Sequence, residues 1–154
     1  MARISNIHLM EQPTTTVVYM RATIDFMKSF ADFAGASYDA IIKRLEECGR
    51  LPGGPPYACF HNADLENLDV EVGFPAAAAL GEKGDIRVRT IPPLKIVSAI
   101  DQGPYEEQDP TLMDLFAWIT EHGHQPTGEI YYRYLNEPEH PPEEYLTLME
   151  VVVH

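Results

Sequence analysis

Residues 52–62 and 126–136 are two versions of one segment. Pro52-Gly53-Gly54-Pro55-Pro56-Tyr57-Ala58-Cys59-Phe60-His61-Asn62 aligns without a gap to Pro126-Thr127-Gly128-Glu129-Ile130-Tyr131-Tyr132-Arg133-Tyr134-Leu135-Asn136, at a constant offset of 74 (126 − 52). Carried backwards, the offset pairs Leu45-Glu46-Glu47-Cys48-Gly49 with Ile119-Thr120-Glu121-His122-Gly123. Towards the ends it becomes 79, matching Pro13 with Pro92 (92 − 13) and Glu71 with Glu150 (150 − 71). A chain that repeats itself this way builds one supersecondary unit twice. Two such units imply a pseudo-two-fold axis, and the seam between them is where a pocket is expected. The halves, about 1–78 and 79–154, are read as one domain.

Each half reads as two strands, a helix and two strands. In the first, residues 4–9 and 16–20 are rich in β-formers, Tyr38, Ile41, Ile42 and Leu45 recur at helical spacing, and Gly49 is a helix stop. Strands follow at 57–61 and 70–74. In the second half, residues 85–91 alternate, with Ile86, Val88 and Thr90 on one face and Arg87 and Arg89 on the other. A strand at 94–100, a helix with inner face Leu112, Leu115, Phe116 and Ile119, and strands at 128–136 and 145–153 complete it. Residues 76–84 are the connector. The fold class is therefore α+β: tandem strand-helix-strand-strand modules forming a curved eight-stranded antiparallel sheet that carries two helices.

Composition excludes several functions. The net charge of −13, with only 11 basic residues, argues against direct nucleic-acid binding. It favours cationic ligands by long-range attraction, or simply keeps the surface soluble. The longest apolar run, 74–80, is too short to span a bilayer, and the N-terminus has no signal-peptide core, so a cytoplasmic location without membrane partners is expected. Two cysteines without a CxxC pair do not suggest a disulfide or zinc scaffold. His122-Gly123-His124 is a helix-end loop and the other histidines are scattered. With no HExxH, P-loop, GxGxxG or GxSxG, neither metal nor cofactor is expected.

Several short segments, in order, carry a resemblance. Gly54-Pro55-Pro56-Tyr57, Asp69-Val70-Glu71-Val72-Gly73-Phe74-Pro75, Gly103-Pro104-Tyr105, Asn136-Glu137-Pro138, Pro141-Pro142-Glu143-Glu144 and Met149-Glu150-Val151-Val152-Val153 are together similar to the GyrI-like small-molecule-binding family, which includes effector-binding domains of AraC-type and MerR-type multidrug regulators. Glu137 stands where many relatives carry aspartate, and His154 where they often carry proline. The resemblance implies paired modules with a ligand cavity between them and a glutamate on the last strand as its negative charge. Only Glu150 occupies that position.

The residues themselves support such a site. Glu150 lies in an apolar strand, sharing a face with Leu148 and Val152. A carboxylate there needs a partner: a cationic ligand, a tyrosine, or solvent at an edge. Glu71 is its repeat mate. Tyr19, Tyr57, Phe60, Tyr105, Trp118, Tyr132 and Tyr134 are read as the aromatic lining, or as core filler. Such a wall around a carboxylate receives flat, lipophilic cations through stacking and cation–π attraction. The first reading is thus a stand-alone small-molecule binder. The resemblance also implies a hydrolase that opens cyclopropane rings of genotoxic natural products, with Glu150 as base and Tyr134 or Tyr132 as proton donor. A third reading is a protein partner like the DNA gyrase inhibitors of the family. Oligomeric state is not legible.

Overall fold

A computed structural model describes residues 2–77, 80–136 and 139–154. Among them are two α-helices and nine strands, and every pairing within each unit is antiparallel, so the α+β architecture matches expectation with one strand more than the eight inferred. The chain divides into two compact units, Met1–Gln12 with Leu94–His154, and Pro13–Pro93. Glu137 and Pro138 of the family-like turn, and residues 78–79 of the connector, lie outside the described residues.

The first unit holds β1 (Ala2–Arg3), β2 (His8–Gln12), β7 (Leu94–Gln102), α2 (Asp109–Glu121), β8 (Pro126–Tyr134) and β9 (Leu146–Val153). Strand β7 pairs with β9, which pairs with β8, while β1 and β2 share the other edge of β7. The extra strand arises because the stretch expected as one strand at 4–9 is interrupted. Between the pairs Arg3↔Asp101 and His8↔Ser98, five steps on one chain (8 − 3) face three on the other (101 − 98). The Ser5 hydroxyl fills the gap by accepting the Ile100 N–H at 2.8 Å. Helix α2 forms as its spacing dictates: Leu115 and Ile119 are fully buried against Val97, Ala99, Met149, Val151 and Val153, with Leu112, Phe116 and Trp118 alongside. Gly123, at φ 73°, takes the left-handed conformation that ends it.

The second unit holds β3 (Thr15–Ile24), α1 (Phe26–Glu47), β4 (Tyr57–Phe60), β5 (Leu68–Pro75) and β6 (Arg87–Ile91). Strand β5 pairs with β4 and β3, and β3 pairs in turn with β6. Helix α1 begins twelve residues before Tyr38 (38 − 26). Asp25 caps it by accepting the Lys28 N–H, and Phe26 and Phe30 at i,i+4 spacing pack on Phe60. Ile41 and Leu45 bury against Val18 and Phe74. Gly73 has a separate reason. A Cβ there would stand 2.2 Å from the Val18 carbonyl oxygen and 2.9 Å from Tyr19 Cβ, so glycine lets β3 and Tyr19 approach.

Candidate functional site

Strand alternation sorts each unit into a helix-facing side and an opposite side. In the first unit Met149 and Val151 pack against α2, so Glu150 between them points away from it. Its ladder neighbours are Ser98 on β7 and Tyr131 on β8. Arg133, two residues beyond Tyr131, reaches the same face and donates from Nε to Glu150 Oε1 at 2.7 Å. The Arg133 guanidinium lies 5.3 Å from the centre of the Tyr131 ring, within cation–π range. Its Nη2 donates to Gln12 Oε1 at 3.4 Å, and Gln12 Nε2 is buried without a hydrogen-bond partner among the described residues.

Glu150 is 4 % exposed, and Arg133 is its one ion-pair partner among the described residues. Burial pushes its carboxyl above the usual range, and the charge and hydrogen bond of Arg133 oppose the rise without cancelling it. Its second oxygen accepts no hydrogen bond from the described residues.

Glu71 in the second unit is also buried, but its surroundings differ. Tyr57 Oη donates to Oε2 at 2.6 Å and His61 Nε2–H to Oε1 at 2.7 Å. Arg89 spans both oxygens, at 3.2 Å from Nε and 2.8 Å from Nη2, with its guanidinium 5.5 Å from the Tyr19 ring centre. Burial alone would raise this carboxyl; the hydrogen bonds from His61 and Tyr57 and the charge of Arg89 outweigh it and hold Glu71 below the ordinary range. Neighbouring Asp69 makes its own pair with Arg21, at 2.8 and 2.7 Å.

Each unit places the expected aromatics against its own elements. Tyr132 packs on the α2 side of the sheet, and Tyr134, two residues on, shares that side, edge-on to Tyr105, which stacks on Tyr145. Burial, with Asp109 and Asp101 near, pushes the Tyr132 hydroxyl up to about 12, and burial raises Tyr134 as well. Trp118 sits on α2 against the His122 ring, 3.8 Å between centres. Phe60 packs under α1. Tyr57 and Tyr19 belong to the Glu71 cluster.

Tyr131 and Arg133, which sequence reasoning passed over, are the side chains that share Glu150's face. A register difference hid them. The ladder sets Cys59 opposite Glu71 and Tyr131 opposite Glu150, an offset of 72 (131 − 59) where the sequence alignment has 74. A slip of two residues keeps the face but exchanges the neighbour.

Cys59 and His61 were missed for a related reason. Separated by the single residue Phe60, they fit no loop-type ligand spacing, yet on a strand positions i and i+2 share a face. Their ligand atoms and that of Glu71 lie within 4.8 Å of one another. Elsewhere in this unit, a hollow of about 320 Å³ is lined by Leu45, Leu51, Pro52, Ala76, Ala77 and Leu80, with no carboxylate in its wall. No helix among the described residues is long and apolar enough to cross a membrane.

Comparison with known proteins places this geometry. Residues 5–153 match the model of the GyrI-like small molecule binding domain. The EcmrR C-terminal domain superposes with a TM-score of 0.80 at 20% identity, covering 98% of each chain. In the EcmrR–DNA complex the chain spans 57% of the length of the EcmrR subunit. A hydrolase from Listeria innocua superposes at 0.74 with 15% identity, covering 97% of this chain and 92% of that one. SAV2435, in its structure bound to tetraphenylphosphonium, superposes at 0.62 with 14% identity, covering 97% and 94%. At such identities the likeness is one of fold. No curated protein matches the chain.

Proposed function

Since the chain belongs to the GyrI-like small-molecule-binding family, we propose that it captures lipophilic aromatic cations at Glu150. The observation that carries this reading is the contrast between the two buried carboxylates. Glu71 is closed, with both oxygens bonded to neighbouring side chains. Glu150 is open, with one oxygen held by a single arginine nitrogen and a carboxyl raised by burial.

Arg133 occupies the position of the ligand's charge. Its guanidinium on the Tyr131 ring and against Glu150 is the contact pattern an aromatic cation would make. Binding is then an exchange of cations, and the displaced arginine still has Gln12 to hold it. Because the displaced arginine keeps a partner in Gln12, the new ion pair is only partly offset by the one it replaces. The rest of the affinity comes from the ligand's apolar surface, at about 25 cal/mol per Å² removed from water. Gln12 Nε2 supplies a donor for ligands that carry an acceptor.

Tetraphenylphosphonium, the molecule held by SAV2435, is the natural probe. Its affinity is best read by calorimetry or by competition with a polarised rhodamine dye, because Trp118 lies on the helix side. Glu150→Gln is expected to weaken binding at least about tenfold, equivalent to about 1.4 kcal/mol. Unchanged affinity in that variant would remove Glu150 from the site.

A hydrolytic reading has one feature in its favour, a carboxyl raised by burial, the direction that suits a general base. The phenol on its face is Tyr131, so that residue replaces Tyr134 or Tyr132 as the proton donor. Turnover of a cyclopropane-bearing indole, lost in both Glu150→Gln and Tyr131→Phe, would establish it.

A further inference from the structure

We propose that Cys59, His61 and Glu71 form a site for a thiophilic divalent cation of the zinc type. The juxtaposition is built by the sheet. Cys59 and Glu71 are direct ladder partners, and the His61 N–H bonds back to Asp69 O, extending the same pairing by one step. The three donor atoms are therefore set by backbone register and not by a loop.

The donor chemistry is sulfur, imidazole nitrogen and carboxylate oxygen, the set that holds zinc in tetrahedral sites with one position open. Metal–ligand bonds of roughly 2.0–2.3 Å place donors about 3.5 Å apart, so a common spread of 4.8 Å needs only small side-chain rotations. Among the three ligands, the pair that must open is His61 Nε2 and Glu71 Oε1, now 2.7 Å apart across a proton that the metal would replace. That proton moves to the other ring nitrogen, so the imidazole ligates neutral, and Cys59 releases its own to solvent on binding as thiolate. Tyr57 Oη, donating to the remaining Glu71 oxygen, provides the outer hydrogen bond that orients a ligating carboxylate.

The Arg89 guanidinium now stands where the cation would act on Glu71, and it must withdraw. Its side chain is 28% exposed and already lies over the Tyr19 ring, so a retreat along that ring keeps both its hydration and its cation–π contact. Cys59 forms no disulfide and is fully buried, while the His61 side chain is 10% exposed and marks the way in.

Cobalt(II) titration of the full chain tests the site. The expected result is one equivalent of cobalt with a thiolate charge-transfer band in the near ultraviolet, displaced by zinc and absent in Cys59→Ser. Arg89→Gln removes the competing charge and should bind cobalt about tenfold more tightly. X-ray absorption of the zinc-loaded wild-type chain, reading a sulfur neighbour directly, decides the question even where a variant fails to fold. Cobalt held without a thiolate band, as by surface histidines alone, would overturn the proposal, as would tighter binding failing to appear in a folded Arg89→Gln. Neither readout involves Glu150.

Discussion

Replacing each buried glutamate by glutamine should give unequal losses of stability. Glu71→Gln keeps the shape but removes the charge that accepts from Tyr57, His61 and Arg89 at 2.6–3.2 Å. Breaking a buried ion pair by removing one partner costs about 3–5 kcal/mol. Arg89 remains partly hydrated, which lowers the expectation here to about 2–4 kcal/mol. For a chain of 154 residues this corresponds to a fall in melting temperature of roughly 4–16 °C.

Glu150→Gln mimics the protonated acid, towards which burial shifts the balance, and Gln12 remains to hold Arg133, so it should cost less than Glu71→Gln. The pH dependence separates the two further. Glu71 is depressed, so its stabilisation is complete above the unfolded value of about 4.3 and is lost as pH falls through the folded value. Glu150 is raised, so its contribution is present below about 4.3 and is lost as pH rises through the folded value. Urea denaturation from pH 2 to 8 should therefore show Glu71→Gln flattening the slope below about 4.3 and Glu150→Gln flattening the slope above it. If Glu150→Gln proved as destabilising as Glu71→Gln, the distinction between an open and a closed carboxylate would be wrong.

Two further outcomes follow from particular contacts. Gly73→Ala should destabilise by about 2 kcal/mol or more, because its Cβ meets backbone, not a movable side chain, at 2.2 Å; thermal unfolding would read this, and an unchanged melting temperature would contradict it. Affinity for tetraphenylphosphonium should fall as pH drops through the raised Glu150 value, since protonation removes the charge, and a calorimetric series from pH 8 down to pH 4 should show binding weaken towards its acid end.

Much of this was legible in the chain itself. The apolar spacing of Leu115 and Ile119, the stops at Gly49 and Gly123, and the face shared by Leu148, Glu150 and Val152 follow from local periodicity, and the structure keeps all of them. What sequence reasoning could not place was pairing. Parity puts Tyr132 and Tyr134 on one face and Tyr131 on the other, but only the ladder says which of those faces Glu150 shares. The aromatics around Glu150 were inferred from abundance, and the helix-side clusters absorb most of them. The arginines are a second case. Arg89 and Arg133 lie far from Glu71 and Glu150 in sequence, 18 residues (89 − 71) and 17 (150 − 133), and are joined to them by strands.

A structure of the chain with tetraphenylphosphonium bound is the most direct test of the cation-exchange account. It should place the phosphonium within about 6 Å of Glu150 and Tyr131, with the Arg133 guanidinium moved off the carboxylate. A ligand seated elsewhere, with the Arg133–Glu150 contact intact at 2.7 Å, would contradict it.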